Sequence, residues 1–346
     1  MKESETYDTG PSLSYSKKAL SALLSVTGFG VYVYLLGLVA VWALIWFAGD
    51  RWWFATVLMY GPRWIYALPL IVFIPIALLC KRRLLLILAI ASVIIVLPIM
   101  GLNLPWQGWT DHKQQAAFRI MTYNIHRWGV SPQEFSELLD EVRPDLVAIQ
   151  ECAPSRWKVP PEWYTKRGVY SLVVSRYPIS RVEMKRRKHE VNGLYCVVDA
   201  PAGPIGFCCV DLLTPRRALD KVLDSETVFD LSQRTAAQKR IDFRWRESEE
   251  LSKWLNQFPE SKIIAGDFNL TTDSPIYRKF WSAYDNAFSR SEFGFGHTKK
   301  TKINIFRYTS RIDHILSTTD FLPLRCWIGP DFGSDHLPVI AEFALD

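Results

Sequence analysis

The stretch "KIIAGDFNLTTDSP", residues 262–275, joins a short apolar run to polar side chains and determines the fold predicted for the C-terminal two thirds of the chain. Residues 263–265 are apolar, and Asp267 and Asn269 follow them two positions apart. Side chains at i and i+2 of an extended segment point to the same side. The spacing therefore predicts a strand that presents Asp267 and Asn269 together at its end.

Similar short runs, β-branched or alternating and closed by Gly, Pro or polar residues, predict further strands after residue 117. They are "FRIMTYNIHRWG", "DLVAIQE", "GVYSLVVSRYPI", "GLYCVVDA", "PIGFCCVDLL", "SKIIAGDFN", "RIDHILST" and "HLPVIAEF". Helical spacing of apolar residues predicts helices at Pro132 to Val142 and at about Leu231 to Phe258. This order predicts a mixed α/β domain with layered sheets flanked by helices.

The first third of the chain is apolar and predicts a membrane region. Residues 19–48, "ALSALLSVTGFGVYVYLLGLVAVWALIWFA", carry no charge and exceed the roughly 20 residues that span a bilayer. Two further apolar runs extend from about Trp64 to Cys80 and from about Leu84 to Leu104. We therefore predict three transmembrane helices. A cleaved signal peptide is the alternative for the first run, but its apolar region would measure only about 7 to 15 residues.

The basic residues around these runs predict the orientation of the protein. Lys17 and Lys18 precede the first run and "KRR", residues 81–83, separates the other two, whereas the intervening loop is nearly balanced in charge. Positive residues favour the cytoplasmic side, so three crossings would place the C-terminal domain outside the cytoplasm of a multi-pass membrane protein. The predicted parts are a cytoplasmic tail (1–18), a membrane domain (19–105), a linker (106–116) and a globular domain (117–346).

The charge balance argues against a protein that wraps a nucleic-acid duplex. Lys and Arg number 41 and Asp and Glu 35 in the chain, of which eight and four precede residue 107, leaving a nearly neutral globular domain. Duplex binding normally requires a stronger positive field. Five cysteines lie in the domain without a C-x-x-C motif, so neither a zinc knuckle nor a disulfide framework is indicated, and no protein partner can be deduced.

Carboxylates and amides recur at the ends of the predicted strands. They are Asn124 in "TYNIH", Glu151 in "AIQE", Asp267 and Asn269 in "GDFN", Asp313 in "RIDHIL", and Asp335 and His336 in "SDHLPV". If they converge, their mutual repulsion favours a neutralising cation, and oxygen ligands suit Mg²⁺ or Mn²⁺ rather than zinc. Each residue alone also has a purely structural explanation, such as a turn cap for Asp267, a loop hydrogen bond for Asn124 or a core position for His336.

Taken together, these motifs resemble the endonuclease/exonuclease/phosphatase superfamily, which includes deoxyribonucleases, abasic-site endonucleases, inositol-phosphate phosphatases and sphingomyelinases. The resemblance covers about Phe118 to Phe343. It implies a four-layered α/β/β/α sandwich with the active site at one rim, and a metal-dependent hydrolase of phosphodiester or phosphomonoester bonds. The substrate class would be a nucleic acid, a lipid head group or another phosphate ester.

The resemblance also implies a role for each candidate residue. Glu151 would be the principal metal ligand, with Asn124 and Asp335 completing the metal site. Asp267 would orient or deprotonate the attacking water, and Asn269 would hold that water or a phosphate oxygen. His336 would donate to the scissile phosphate, and Asp313 would fix its imidazole.

One position departs from the family pattern. Where the family usually has a histidine in a "THL-x-x-P" segment, "CVDLLTPRR" has Asp211, so an acceptor replaces a donor. Asp211 would weaken catalysis, add a metal ligand, or mark a catalytically weak binding or scaffold protein that reuses the fold. Arg216 or Arg217 would be replacement donors, and residues 126–128 would form a substrate rim.

Overall fold

The computed structural model describes residues 12–105, 115–127, 129–152, 159–187, 190–216, 219–220, 230–303 and 306–345. Residues 1–11 of the predicted tail and 106–114 of the predicted linker lie outside the described residues, whereas residues 12–18 of the tail belong to a helix. The chain divides into two compact units. One contains the chain up to Ala43 together with Trp64–Met100, and the other contains Leu44–Arg63 and the chain from Gly101 onward. The second unit thus includes a segment from the predicted membrane domain.

The N-terminal helices correct the prediction of three transmembrane helices. They are α1 (Ser12–Ala43), α2 (Trp53–Tyr60), α3 (Leu70–Cys80) and α4 (Leu84–Ile94). By length and composition, one described helix, Ser25–Ala48, can cross a membrane. Trp53–Tyr60 and Arg63–Leu79 reach that length only as a pair bent by 82°, and Leu84–Ile99 is shorter. The prediction of three is wrong because the second run forms a short 3-10 helix, Arg63–Ala67, followed by a helix of 11 residues, and the third run forms only the helix Leu84–Ile99, so neither reaches the roughly 20 residues that span a bilayer.

The second unit contains two six-stranded sheets and the helices α5 (Pro132–Val142), α6 (Leu231–Leu255), α7 (Pro275–Phe280) and α8 (Ala287–Ser291). The strands are β1 (Phe118–Arg127), β2 (Leu146–Cys152), β3 (Tyr164–Arg167), β4 (Leu172–Ser175), β5 (Ile179–Arg187), β6 (Glu190–Ala200), β7 (Gly203–Asp211), β8 (Lys262–Asp267), β9 (Asp285–Asn286), β10 (Lys299–Ile303), β11 (Phe306–Ser310), β12 (Asp313–Ser317), β13 (Phe321–Ile328) and β14 (Val339–Leu345). The first sheet has the order β13-β14-β1-β2-β4-β3, and the second β5-β6-β7-β8-β12-β9.

Local sequence explains why α5 begins and ends where it does. Ser131 and Glu134 form a reciprocal capping box, and Pro132 occupies the first turn, where its missing N–H costs nothing. Arg143 then closes the helix in the left-handed conformation. The helix has the predicted bounds, and its buried face covers the first sheet with Phe135 and Leu138.

Three apolar clusters stack the layers of the sandwich. Residues of β1 and β2 such as Ile120 and Ala148 meet residues of the second sheet such as Phe207 in the central cluster. The outer face of the first sheet packs against α5, and the outer face of the second packs against Leu251 of α6. The predicted mixed α/β fold with paired sheets is therefore confirmed, with helices on both outer faces.

Strand register places the candidate residues at one rim. β1 and β2 run parallel in the first sheet, and β7 and β8 run parallel in the second. Asp267 ends β8 and pairs in register with Asp211 of β7 on one side and with Asp313 of β12 on the other. Three aspartates therefore lie side by side on adjacent strands, which are about 4.8 Å apart.

Candidate active site at the rim of the sandwich

An amide at the end of β1 links the two sheets. Asn124 is fully buried, and its Nδ2 donates to Asp267 Oδ2 at 3.0 Å and lies 3.3 Å from Glu151 Oε1. Its Oδ1 accepts from the main-chain N–H of His126 at 3.0 Å. Carboxylates from the first and second sheets thus meet at one side chain.

A buried imidazole lies between two of the aspartates. His336 Nδ1 lies 2.9 Å from Asp313 Oδ2, and its Nε2 lies 3.7 Å from Asp267 Oδ2. Thr298 Oγ1 donates to Asp313 Oδ2 at 2.5 Å, which holds that carboxylate in place. Burial alone would lower the pKa of His336, but the charges of Asp313 and Asp267 raise it above its ordinary value. The arrangement favours an imidazolium whose Nε2 faces the centre of the cluster.

Asp267 is a buried carboxyl that titrates near neutrality. Burial and the neighbouring Asp313 raise its pKa to about 7, although His336 acts in the opposite direction. Its Oδ1 accepts from the main-chain N–H of Asn269 at 2.8 Å. A carboxyl with a pKa near the working pH is well matched to accepting a proton.

Asn269 adopts a conformation that the sequence did not predict. β8 ends at Asp267, and Asn269 has a φ of 50°, so the strand does not extend through both residues. Its side-chain Nδ2 donates to the carbonyl of Leu212 at 2.8 Å, which joins the loop after β8 to the loop after β7. Asp267 and Asn269 are joined through the main-chain N–H of Asn269, which donates to the Asp267 carboxylate from a left-handed turn rather than from an extended strand.

Strained backbone concentrates at this rim. Among the described residues, five non-glycine positions have positive φ, and His126, Glu151 and Asn269 are three of them. Such conformations cost about 1–3 kcal/mol each and persist where surrounding contacts enforce them. The strain is consistent with a site that holds side chains in fixed positions.

The carboxylates at the open side of the cluster fit a divalent cation. Asp335 pairs through Oδ2 with Lys299, and its buried Oδ1 has no hydrogen-bond partner in the part of the chain that the structure describes. His126 Nδ1 lies 3.7 Å from that Oδ1 and 3.7 Å from Glu151 Oε2. Burial would raise the pKa of Asp335, but its hydrogen bond with Lys299 lowers it, so the group stays ionised.

A second group of ligand atoms lies deeper in the site. Asp267, Asp313 and His336 each offer one such atom, and these atoms lie within 4.8 Å of one another. This group could bind a metal ion. The predicted ligands Glu151 and Asn124 adjoin it through the contact with Asp267. The oxygen-rich donor set with a single imidazole suits Mg²⁺ or Mn²⁺.

The remaining candidates are less closely placed. Asp211 is half-buried beside Asp267 by strand register. Arg216 Nη2 donates to the carbonyl of Lys302 at 3.3 Å, and Arg217 lies outside the described residues. Of the predicted rim, His126 faces the carboxylates, whereas Trp128 and the Arg127 side chain lie outside the described part.

Sequence reasoning missed Lys299 and Thr298. Lys299 holds Asp335, and Thr298 holds Asp313. Neither lies at the end of an apolar run, so the signal that identified the other residues does not apply to them. An isolated antiparallel β-bridge between Lys299 and His336 places them beside the site.

Comparison with known proteins identifies the family to which this chain is similar. The sequence profile of the Endonuclease/Exonuclease/phosphatase family matches residues 121–336, more than half of the chain. The uncharacterized protein YbhP of Escherichia coli K12 is 25% identical over 287 residues, covering 68% of this chain and 99% of YbhP.

Solved structures with a similar fold include an AP endonuclease from Archaeoglobus fulgidus, with 13% identity, a TM-score of 0.49 and coverage of 66% of this chain and 100% of that one. The 3' phosphatase NExo from Neisseria, bound to a product DNA hairpin, has 16% identity, a TM-score of 0.48 and coverage of 66% and 100%. The mannosyl-6-phosphatase Bt3783 from Bacteroides thetaiotaomicron has 15% identity, a TM-score of 0.48 and coverage of 66% and 100%. On the family match, this chain belongs to the endonuclease/exonuclease/phosphatase family.

Proposed function

We propose that the protein is a divalent-metal-dependent hydrolase of phosphodiester or phosphomonoester bonds. The observation that carries this proposal is the buried His336 flanked by Asp313 and Asp267 beside a second group of carboxylates. Hydrolysis of a phosphate ester requires an activated water and stabilisation of the charge that develops on phosphorus-bound oxygens. This rim offers groups for both tasks.

Each residue's proposed task follows from its contacts. Asp267, with its pKa near neutrality, takes a proton from the attacking water. The Asp313 carboxylate fixes the His336 ring through Nδ1, so that Nε2–H donates to a phosphate oxygen. Asn269, fixed by Leu212, holds the water or a phosphate oxygen.

Glu151, Asp335 and Asn124 are the residues that would hold the cation. When bound, Mg²⁺ or Mn²⁺ supplies Lewis-acid stabilisation of the phosphate oxygens. The unpartnered buried Oδ1 of Asp335 supports this assignment, because such an oxygen normally has a hydrogen-bond donor or an ion beside it.

We also propose that the helix Ser25–Ala48 anchors the protein in the cell membrane with the hydrolase domain outside the cytoplasm. Lys17 and Lys18 precede this helix and favour a cytoplasmic N-terminus. Leu44–Arg63, at the other end of the helix, belongs to the unit that contains the sandwich. Protease added to intact spheroplasts should digest the domain. Digestion only after the membrane is opened would show the opposite orientation.

The activity is tested with the purified full-length protein in detergent and added Mg²⁺ or Mn²⁺. Single-stranded DNA, duplex DNA, RNA and head-group phosphodiesters form the substrate panel. Asp267→Asn and His336→Gln should each reduce turnover by roughly 100-fold or more. Asp331→Asn, an exposed aspartate paired with Lys300, is the matched control and should leave turnover unchanged. Equal turnover in all variants, or none in any protein, would favour the scaffold alternative.

A further inference from the structure

A buried ion pair connects the segment Leu44–Arg63 to the hydrolase core. Arg244, in α6, pairs through Nη1 with Asp50 Oδ1 across 194 positions of sequence. The side chains are 2% and 0% exposed. Asp50 Oδ2 also accepts from Ser274 Oγ at 2.6 Å and from Tyr60 OH at 2.9 Å. We call Asp50, Tyr60, Arg244 and Ser274 the Asp50 cluster.

The ion pair is a requirement of the folded state. A buried guanidinium is tolerated only when it is paired and its N–H groups are bonded. Burial would lower the pKa of Arg244, but the carboxylate of Asp50 and the hydroxyl of Tyr60 raise it. The two side chains that bond to Arg244, those of Asp50 and Tyr60, come from a segment that precedes the sandwich in sequence.

The Asp50 cluster contacts Asn269, a residue of the candidate active site. Arg244 Nη2 donates to the main-chain carbonyl of Asn269 at 2.6 Å, and Tyr60 OH lies 3.1 Å from the same oxygen. Asn269 has a positive φ, so external contacts are needed to maintain its conformation. The cluster supplies these contacts at the main-chain carbonyl of Asn269.

Arg244 also reaches the neighbouring loop. Its Nε donates to the carbonyl of Leu213 at 2.9 Å, next to Leu212, whose carbonyl accepts from Asn269 Nδ2. One guanidinium thus holds the loops that follow β7 and β8 in a fixed relation.

A second ion pair ties the same segment to the loop after β8. Arg63 Nη1 lies 2.8 Å from Asp273 Oδ2, and Arg63 Nη2 lies 3.4 Å from Thr271 Oγ1. The contacts of Leu44–Arg63 therefore fall repeatedly on the loop that carries Asn269.

We propose that Leu44–Arg63 is a positioning element of the candidate active site, in which Tyr60 fixes the conformation of Asn269 directly and Asp50 does so through Arg244. This inference rests on the proposed hydrolase function. Asp50, Tyr60 and Arg244 are positioning residues, because they act through Asn269. A small displacement of a catalytic side chain is known to cost large factors in rate.

The test is Tyr60→Phe in the full-length protein. It removes the hydroxyl that contacts the Asn269 carbonyl, Asp50 Oδ2 and Arg244 Nη2, and it keeps both charges of the Asp50–Arg244 pair. Tyr177→Phe is the matched control, since Tyr177 OH lies 3.1 Å from Asp145 Oδ1 at the opposite end of β2. We expect Tyr60→Phe to lower kcat by about 10-fold, with KM and Mn²⁺ affinity within about two-fold of wild type. The control should change none of them.

A turnover-free measurement separates this inference from the proposed function. The side-chain amide resonance of Asn269, assigned from its loss in Asn269→Ala, should shift in Tyr60→Phe and not in Tyr177→Phe. If the wild type hydrolyses nothing, the hydrolase assignment fails while this resonance still reports on positioning. The inference is overturned if the Asn269 resonance does not shift in Tyr60→Phe and if, where hydrolysis is measurable, the kcat of Tyr60→Phe equals that of Tyr177→Phe.

A second variant separates positioning from folding. Asp50→Asn leaves Arg244 buried without a counter-charge and should lower the melting temperature. The double variant Asp50→Asn/Arg244→Met removes both charges and should recover thermal stability but not kcat or the wild-type Asn269 resonance. Recovery of all three would assign the cluster a structural role only.

Discussion

At the scale of single residues, this active-site rim depends on charges that are crowded and poorly hydrated. Asp267, Asp313 and His336 are each at most 3% exposed, and their ionisation states depend on one another. Burial and the charge of Asp313 raise the pKa of Asp267. The charges of Asp313 and Asp267 raise the pKa of His336, although burial alone would lower it. The same crowding creates a need for a cation and produces a pH dependence.

We expect the contribution of Asp267 and His336 to the stability of the metal-free protein to fall as pH rises between about 4 and 8, whereas burial lowers the pKa of His297 and of His314 to about 4, so that their contribution rises over the lower part of this range. Asp267 binds its proton more tightly when folded, since its pKa is about 7 there and about 3.9 in an unfolded chain. His336 has a raised folded pKa as well, so its stabilising charge is present below about pH 6.5 and is lost as pH rises through the folded value. Both effects have the same sign.

Melting temperatures at pH 5.5 and pH 8 test this expectation. Asp267→Asn should raise the melting temperature at pH 8 relative to that at pH 5.5, because it removes the contribution of Asp267. Asp331→Asn should not, because the hydrogen bond with Lys300 lowers the pKa of Asp331 and moves its titration below this range. An Asp267→Asn variant with the pH dependence of the wild type would contradict the assignment.

Glu151→Gln should abolish or strongly weaken Mn²⁺ binding measured by calorimetry. Glu151 is a strained, partly exposed residue near Asn124 and His126, and the substitution removes its charge at nearly constant volume. Glu342→Gln is the control, because Glu342 pairs with Arg119 near the start of β1, away from Asn124. Unchanged affinity in Glu151→Gln would show that the metal binds elsewhere.

At the scale of strands and loops, Asp211 is the position where sequence and family pattern disagree. It lies beside Asp267 on the neighbouring strand. If this carboxylate faces the scissile phosphate, it repels the developing charge, and Asp211→His should raise turnover by about 100-fold, with a smaller gain for Asp211→Asn. If Asp211 is a metal ligand, both variants should lose turnover and Mn²⁺ affinity together, which would reject the impairment explanation.

The elements could be predicted from sequence where local signals determine them. Apolar spacing predicted the bounds of α5, and apolar runs ending in polar residues identified the strands that carry Asn124, Glu151 and Asp267 near their ends. The left-handed turn at Asn269 could not be predicted, because it depends on contacts with Arg244 and Leu212. Long-range hydrogen bonds leave no periodic pattern in the sequence.

At the scale of the whole molecule, the predicted boundary near residue 117 separates groups that the structure brings together. The domain boundaries themselves remain a proposal. A protein that begins at residue 115 lacks Asp50 and Tyr60, so Arg244 would be buried without its counter-charge. Breaking such a pair costs about 3–5 kcal/mol.

We therefore expect this truncated protein to unfold at a lower temperature than the full chain. Arg244→Met should stabilise the truncated protein, since it removes the unpaired charge, and should destabilise the full-length protein, since it leaves Asp50 unpaired. Opposite signs in the two backgrounds identify the pair. The same sign in both would show that Asp50 and Arg244 do not interact as described.

The 194 positions between Asp50 and Arg244 also determine how long after Asp50 its partner is synthesised. At about 5–20 residues per second, Asp50 leaves the ribosome roughly 10–40 s before its partner does. During that interval the apolar helices have emerged while the loop that carries Asn269 has not. If the protein is anchored as we propose, an ordered Asn269 loop can form only after the earlier segment has reached the same side of the membrane as α6. Nascent chains whose insertion fails would then lack an ordered Asn269, which would restrict the proposed hydrolytic activity to correctly inserted molecules.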